Sequence, residues 1–185
     1  MLPISLTNPE FLLVGLVLIA ITLGLSWAAR HHLARGRRRL SLALRALILT
    51  SEDRLPEASE AFALVPPAWR DATFYADWAL VSQTLAQKVD PEARKPHLDD
   101  ALERLTKALD LLAPGTQAAS LTRRSLWLTR KGELEISLVP LQIPARRGAL
   151  KAAATEDFRQ AVLLDSSNLR ASFLLRQATV KQETP

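Results

Sequence analysis

Between Glu10 and Arg30 lie nineteen consecutive residues, Phe11 to Ala29, without a single charge. No other stretch restricts what this chain can become so strongly. An α-helix rises about 1.5 Å per residue, so the run is roughly as long as a bilayer's hydrocarbon core is thick, about 30 Å. It opens on Asn8-Pro9-Glu10: a capping residue, a proline at the first helical position, and an acid near the positive end of the helix dipole. It closes on Arg30, Arg35, Arg37, Arg38 and Arg39, interleaved with His31 and His32. The pattern predicts a transmembrane helix over 11–29. A secretory signal instead places its cations before a shorter apolar core of about 7–15 residues. Here the only charged side chain upstream is Glu10, although Ser26-x-Ala28 is a weak cleavage match. A buried core helix is the third alternative.

Basic flanks stay on the cytoplasmic side of a membrane. Residues 1–10 are therefore expected outside, and everything after residue 29 on the cytoplasmic side or its organellar equivalent. Trp27 falls at interfacial depth, and residues 30–39 form a basic juxtamembrane segment suited to anionic lipid headgroups. Ala20, Gly24 and Ala28 recur every four residues, a small-residue stripe of the kind that lets membrane helices pack closely.

The net charge of +5 suggests nucleic acid at first sight, but its distribution argues against it. Residues 1–45 hold six arginines and one acid, whereas residues 46–185 hold 18 bases and 18 acids. The whole excess lies beside the predicted span, so no nucleic-acid partner is expected. Within the neutral part, residues 46–115 are acidic (7 bases, 12 acids) and residues 116–185 basic (11 bases, 6 acids). That asymmetry is either ordinary solvated faces or a bipolar surface that orients a partner. The absence of cysteine excludes disulfides, thiolate metal sites and cysteine nucleophiles.

After the anchor, apolar residues follow a 3.6 period and predict an all-α domain over 40–182. Helices are expected near 37–50, 55–65, 68–88, 97–112, 117–138, 146–164 and 168–182. Breaks fall at Ser51-Glu52-Asp53, Pro66-Pro67, Asp90-Pro91 with Pro96, Ala113-Pro114-Gly115, Pro140 to Pro144, and Asp165 to Asn168. Residues 134–144 alternate locally, but two prolines make them an extended connector at best.

Ala101, Leu105 and Ala108 share their 4-and-3 spacing with Ala154, Phe158 and Ala161, and Ala58 with Ala61 gives a weaker version. An alanine face with one large residue lets a second helix approach while the bulky side chain fills the gap. Trp78, Val81, Ser82 and Leu85 supply a first-helix pattern of Trp, aliphatic, small, large. Together these features resemble the tetratricopeptide repeat (TPR) family. The resemblance implies a TPR-like α-solenoid of about three helical hairpins plus a capping helix. Ala61, Ala108 and Ala161 are 47 and 53 residues apart, against about 34 for the family. The alternative is a generic helical bundle whose alanines are ordinary core spacers.

Little in the sequence points to catalysis, and no cofactor or metal is expected. His97, Asp99, Asp100 and Glu103 are the one acid–base cluster, and with Lys107 they read as an exposed charge ladder. Trp69, Phe74, Tyr75, Arg123, Arg124 and Arg130 are the candidate partner-binding residues, because aromatic and arginine side chains anchor interfaces. Trp78 fits a repeat core position. The resemblance implies a membrane-anchored interaction scaffold or assembly factor acting on a membrane complex or its precursors. Mitochondrial import receptors have a similar layout. The alternative is a stoichiometric accessory subunit of a large membrane complex, photosynthetic or respiratory, docked through its span.

Overall fold

The computed structural model describes residues 42–112 and 118–183, and for 181–183 the backbone alone. Residues 11–29 and 30–39, with Ala20, Gly24, Trp27, Ala28, Arg30, Arg35, Arg37, Arg38 and Arg39, lie outside the described residues. Among those described, no helix is long and apolar enough to cross a membrane. Ala43–Pro185 forms one compact unit, and its described elements are all helical, without a strand.

Residues 42–51 form α1, which ends in a Schellman turn. Arg54 N–H donates to Leu49 O at 2.9 Å and Asp53 N–H to Thr50 O at 3.1 Å. Asp53 supplies the left-handed residue at φ 63°, a conformation that aspartate tolerates better than most side chains. Helix α2 (Leu55–Ala63) starts with Pro56 in its first turn and stops before Pro66-Pro67. Pro67–Trp69 then make a single 3₁₀ turn before α3 (Ala72–Lys88). Sequence periodicity had joined 68–71 to α3. Asp71 separates them, because its carboxylate caps the helix by accepting Phe74 N–H at 2.8 Å.

Helix α4 (Arg94–Leu111) begins three residues earlier than expected. Pro96 falls in its first turn, where a missing N–H breaks no helical bond. Helix α5 (Ala118–Leu138) continues into a 3₁₀ turn at Val139–Leu141, so the first half of the suspected extended connector is helical. Pro144 opens α6 (Pro144–Leu164), and α7 (Leu169–Glu183) follows the turn at 165–168.

Contacts run mainly between helices consecutive in sequence: α2 with α3, α3 with α4, α4 with α5, α5 with α6, α6 with α7. The alanine faces lie at these contacts. Ala58, Ala101, Leu105, Ala108, Ala154 and Ala161 are all fully buried. Phe158, 1% exposed, wedges from α6 against Gly132 of α5, where a Cβ would stand 2.6 Å from its ring. That glycine is required by close approach, because the ring occupies the volume a side chain would take.

Two buried polar groups join the later helices. Asn168 caps α7 by accepting Ala171 N–H at 3.0 Å, and its amide donates to Ser125 Oγ at 2.9 Å and Thr129 Oγ1 at 3.0 Å. Ser125 in turn donates to Ala161 O at 2.8 Å, so one network holds α5, α6 and α7. Lys131 of α5 donates to Glu135 at 2.9 Å and to Asp157 of α6 at 2.6 Å. Burial pushes both carboxyls up, and Lys131 opposes that push in each. Burial also works against the Lys131 charge, but the two carboxylates outweigh it and hold its ammonium above the usual lysine range. Glu135 Oε2 is buried without a hydrogen-bond partner.

Candidate docking surface

Helix α3 sits between α2 and α4, and this decides the fate of its aromatics. Phe74 turns toward α2, edge-on to Phe62 at 5.1 Å, while Tyr75 turns toward α4, with Lys107 Nζ 5.2 Å from its ring. They are 8% and 6% exposed. Side chains with so little accessible surface have none left for a partner, so Phe74 and Tyr75 belong to the interior. The sequence placed them among interface anchors because periodicity shows one covered face of a helix, whereas α3 is covered on two.

Trp78 is also buried. It stacks on Phe62 at 6.1 Å, donates from Nε1 to Ser59 Oγ at 3.2 Å, and carries the Arg104 guanidinium 4.0 Å from its ring centroid. Arg104 is further held by Asp100 at 2.8 Å and by Ser82, and burial lowers its pKa. Cation–π contact and the ion pair offset part of the cost of that burial.

The candidate residues that remain separate into different places. Trp69 is half-buried in the 3₁₀ turn before α3. Arg123 is exposed on α5. Arg124 donates to Leu112 O at 3.4 Å, tying α5 to the C-terminal end of α4, where a cation complements the helix dipole. Arg130 lines a concave site.

That site is a groove of ≈ 430 Å³ between α3, α5 and α7. Leu80, Gln83, Thr84 and Gln87 line it from α3, and Leu126, Trp127 and Arg130 from α5. Leu80 and Leu126 are 38% and 56% exposed, and Trp127 is half-buried. Several polar groups at the edge are already engaged. Thr84 donates to Leu80 O at 2.8 Å, Arg170 pairs with Glu133, and Asn168 belongs to the buried network. The Arg170–Glu133 hydrogen bond raises the arginine's pKa. Gln83, Gln87 and Arg130 make no side-chain hydrogen bond among the described residues and remain available. Near Arg130, Asp77 is pushed up by burial and by Asp71, with Arg130 pulling the other way.

The sequence reading missed Leu80, Gln83, Gln87 and Leu126 as surface residues. The available signal was the complement of the buried stripe: with Trp78, Val81 and Ser82 facing inward, Leu80, Gln83, Thr84 and Gln87 follow i, i+3, i+4, i+7 spacing and share the face that lines the groove.

Beside the His97 cluster lies a more open depression of ≈ 470 Å³, lined by Asp99, Leu102, Glu103, Thr106, Lys107 and Asp110. Asp99 is paired with Lys95 at 2.5 Å and Asp100 with Arg104, on exposed helix surface. No group of three metal-ligating side chains occurs among the described residues. What the groove provides is apolar area with two amides and a guanidinium that make no side-chain hydrogen bond among the described residues. Comparison with known proteins finds no family model that matches this chain and no curated protein that matches it.

Proposed function

We propose that this chain is a membrane-anchored protein–protein interaction scaffold, an assembly factor presenting a TPR-like surface on the cytoplasmic or equivalent organellar side. The observation that carries the reading is the groove, whose walls come from the first helix of successive hairpins and leave Leu80, Leu126 and Trp127 partly open. Trp78, Val81, Ser82 and Leu85 on α3 are matched in spacing by Leu128, Lys131, Gly132 and Glu135 on α5, with a small buried residue third in each set. Each set is followed by an Ala-large-Ala helix, and the main contacts follow chain order, which supports a solenoid over a bundle. Membrane attachment rests on the uncharged run 11–29 and its arginine flank.

Crosslinking in native membranes tests this. A photoreactive residue at position 126, inside the groove, is expected to capture a partner protein, and Trp127→Ala or Arg130→Glu is expected to abolish capture. The same group at position 163, on the exposed side of α6 (Leu163 is 78% exposed), is expected not to. Equal capture from both positions would refute a groove-specific partner. The accessory-subunit reading is favoured by the Ala20, Gly24, Ala28 stripe. Stable stoichiometric co-migration in mild detergent would select it, whereas association confined to precursor complexes selects the assembly factor.

A further inference from the structure

A second cavity lies away from the groove, where the end of α5, the start of α6 and the end of α7 meet. It measures ≈ 450 Å³, within the range of small-ligand pockets, about 300–1,000 Å³. Its walls are apolar: Ile136, Val139, Pro140 and Ala178. Ile136 is 42% exposed at the wall, an apolar side chain left half-open by the fold.

One side of the same cavity is cationic. Arg147 and Lys151 stand four residues apart on α6, one turn above the other, and both line it. Like charges at that spacing repel, and Arg147 falls in the first turn, where a helix favours acids, so the pair gains nothing from the charge of α6 itself. No carboxylate among the described residues pairs with either. Arg147 gives only its Nε–H, to Gln142 O at 2.9 Å, leaving its terminal nitrogens free. Farther along the same helix the usual compensation returns, with Arg159 paired to Glu156. The other acids next to the lining in sequence, Glu135 and Asp157, are both held by Lys131.

We propose that this cavity binds an amphiphilic anion, an apolar chain ending in a carboxylate or phosphate head. The chain lies against Ile136, Val139, Pro140 and Ala178, and the head sits between Arg147 and Lys151. The lining argues against a polypeptide occupant. Its one hydroxyl, Thr155, already donates to Lys151 O at 2.8 Å, so no neutral side-chain donor remains to satisfy the carbonyls of a peptide backbone. Free fatty acids and anionic membrane lipids both present the required chemistry.

The test uses the full chain in phosphatidylcholine nanodiscs and a diazirine-bearing decanoic acid, with labelled peptides located by mass spectrometry. Labelling is expected within 136–155 and around 178. It should exceed that of the matching diazirine alcohol by about ten-fold, because the alcohol forgoes charge-assisted hydrogen bonds. The double substitution Arg147→Gln, Lys151→Gln should remove that preference. Ile136→Ser, at an exposed position that leaves the helices folded, should reduce labelling by both probes. Competition by decanoate identifies a free fatty acid as the natural class, and competition by lysophosphatidic acid alone identifies a membrane lipid. Equal labelling by acid and alcohol, an acid preference that survives the double substitution, or labelling spread evenly over the domain would each overturn the proposal.

Discussion

Two glycines on neighbouring helices should respond oppositely to the same substitution. Replacing an interior helical glycine by alanine favours the helix by about 1 kcal/mol, since glycine loses the most backbone freedom on folding. At Gly148 on α6 a new Cβ meets nothing within 4 Å, so Gly148→Ala should realise that gain. At Gly132 the Cβ would lie 2.6, 2.9 and 3.0 Å from three atoms of the Phe158 ring. Carbon atoms prefer about 3.5–4.0 Å, so the ring must retreat by nearly 1 Å. Phe158 is 1% exposed, between the fully buried Ala154 and Ala161, and has little space to enter. Overpacking of this kind costs about 1–3 kcal/mol, which offsets or exceeds the propensity gain and leaves Gly132→Ala destabilised by up to about 2 kcal/mol. Urea denaturation followed by helical circular dichroism measures both variants, in one uncharged detergent. Phe158→Leu shortens the obstructing side chain, so in the Gly132→Ala background it should cost less than it does alone. If Gly132→Ala and Gly148→Ala stabilise equally, the close approach of α5 to α6 is wrong.

Other expectations follow from the buried polar groups. Lys131→Met should cost about 3 kcal/mol, because it leaves Glu135 and Asp157 buried without their cation, and adding Glu135→Gln should restore much of the loss in the same denaturation assay. Glu135 and Asp157 have folded-state pKa values raised by burial, so the folded state holds their protons more tightly. Their contribution to stability therefore declines as pH rises out of the ordinary carboxylate range and through the raised values, and Glu135→Gln with Asp157→Asn should flatten the stability–pH profile there. Asn168→Ala removes a helix cap and two buried hydrogen bonds, at a cost of about 1–3 kcal/mol, and hydrogen exchange should rise first in α7. A cysteine introduced near Thr184 should be labelled only from the cytoplasmic side of intact cells, and neutralising Arg35, Arg37, Arg38 and Arg39 should scramble that orientation while the domain's helical dichroism persists.

Helices, their order and most of their ends were written in the chain itself. Proline and the capping groups act over a few residues, so Pro66-Pro67, Pro91 and Pro144 punctuate the helices whatever the rest of the protein does. The Ala-large-Ala faces were equally local, and Ala101, Leu105, Ala108, Ala154, Phe158 and Ala161 lie buried at the helix contacts where their spacing put them. The uncharged run and its arginines are the ground for the proposed membrane anchor, and they lie outside the described residues. What periodicity could not supply was the number of covered faces. Phe74 and Tyr75 looked like interface anchors until α2 and α4 were seen to enclose α3 from two sides. Leu80, Gln83 and Leu126 could not be singled out from one helix at a time, because their groove exists only where α3, α5 and α7 come together. Arg147 and Lys151 line a cavity only because Ile136 and Ala178 come to it from other helices. Local rules govern one helix at a time, whereas a concave site exists only where three helices converge, and that convergence is set by packing between residues far apart in sequence.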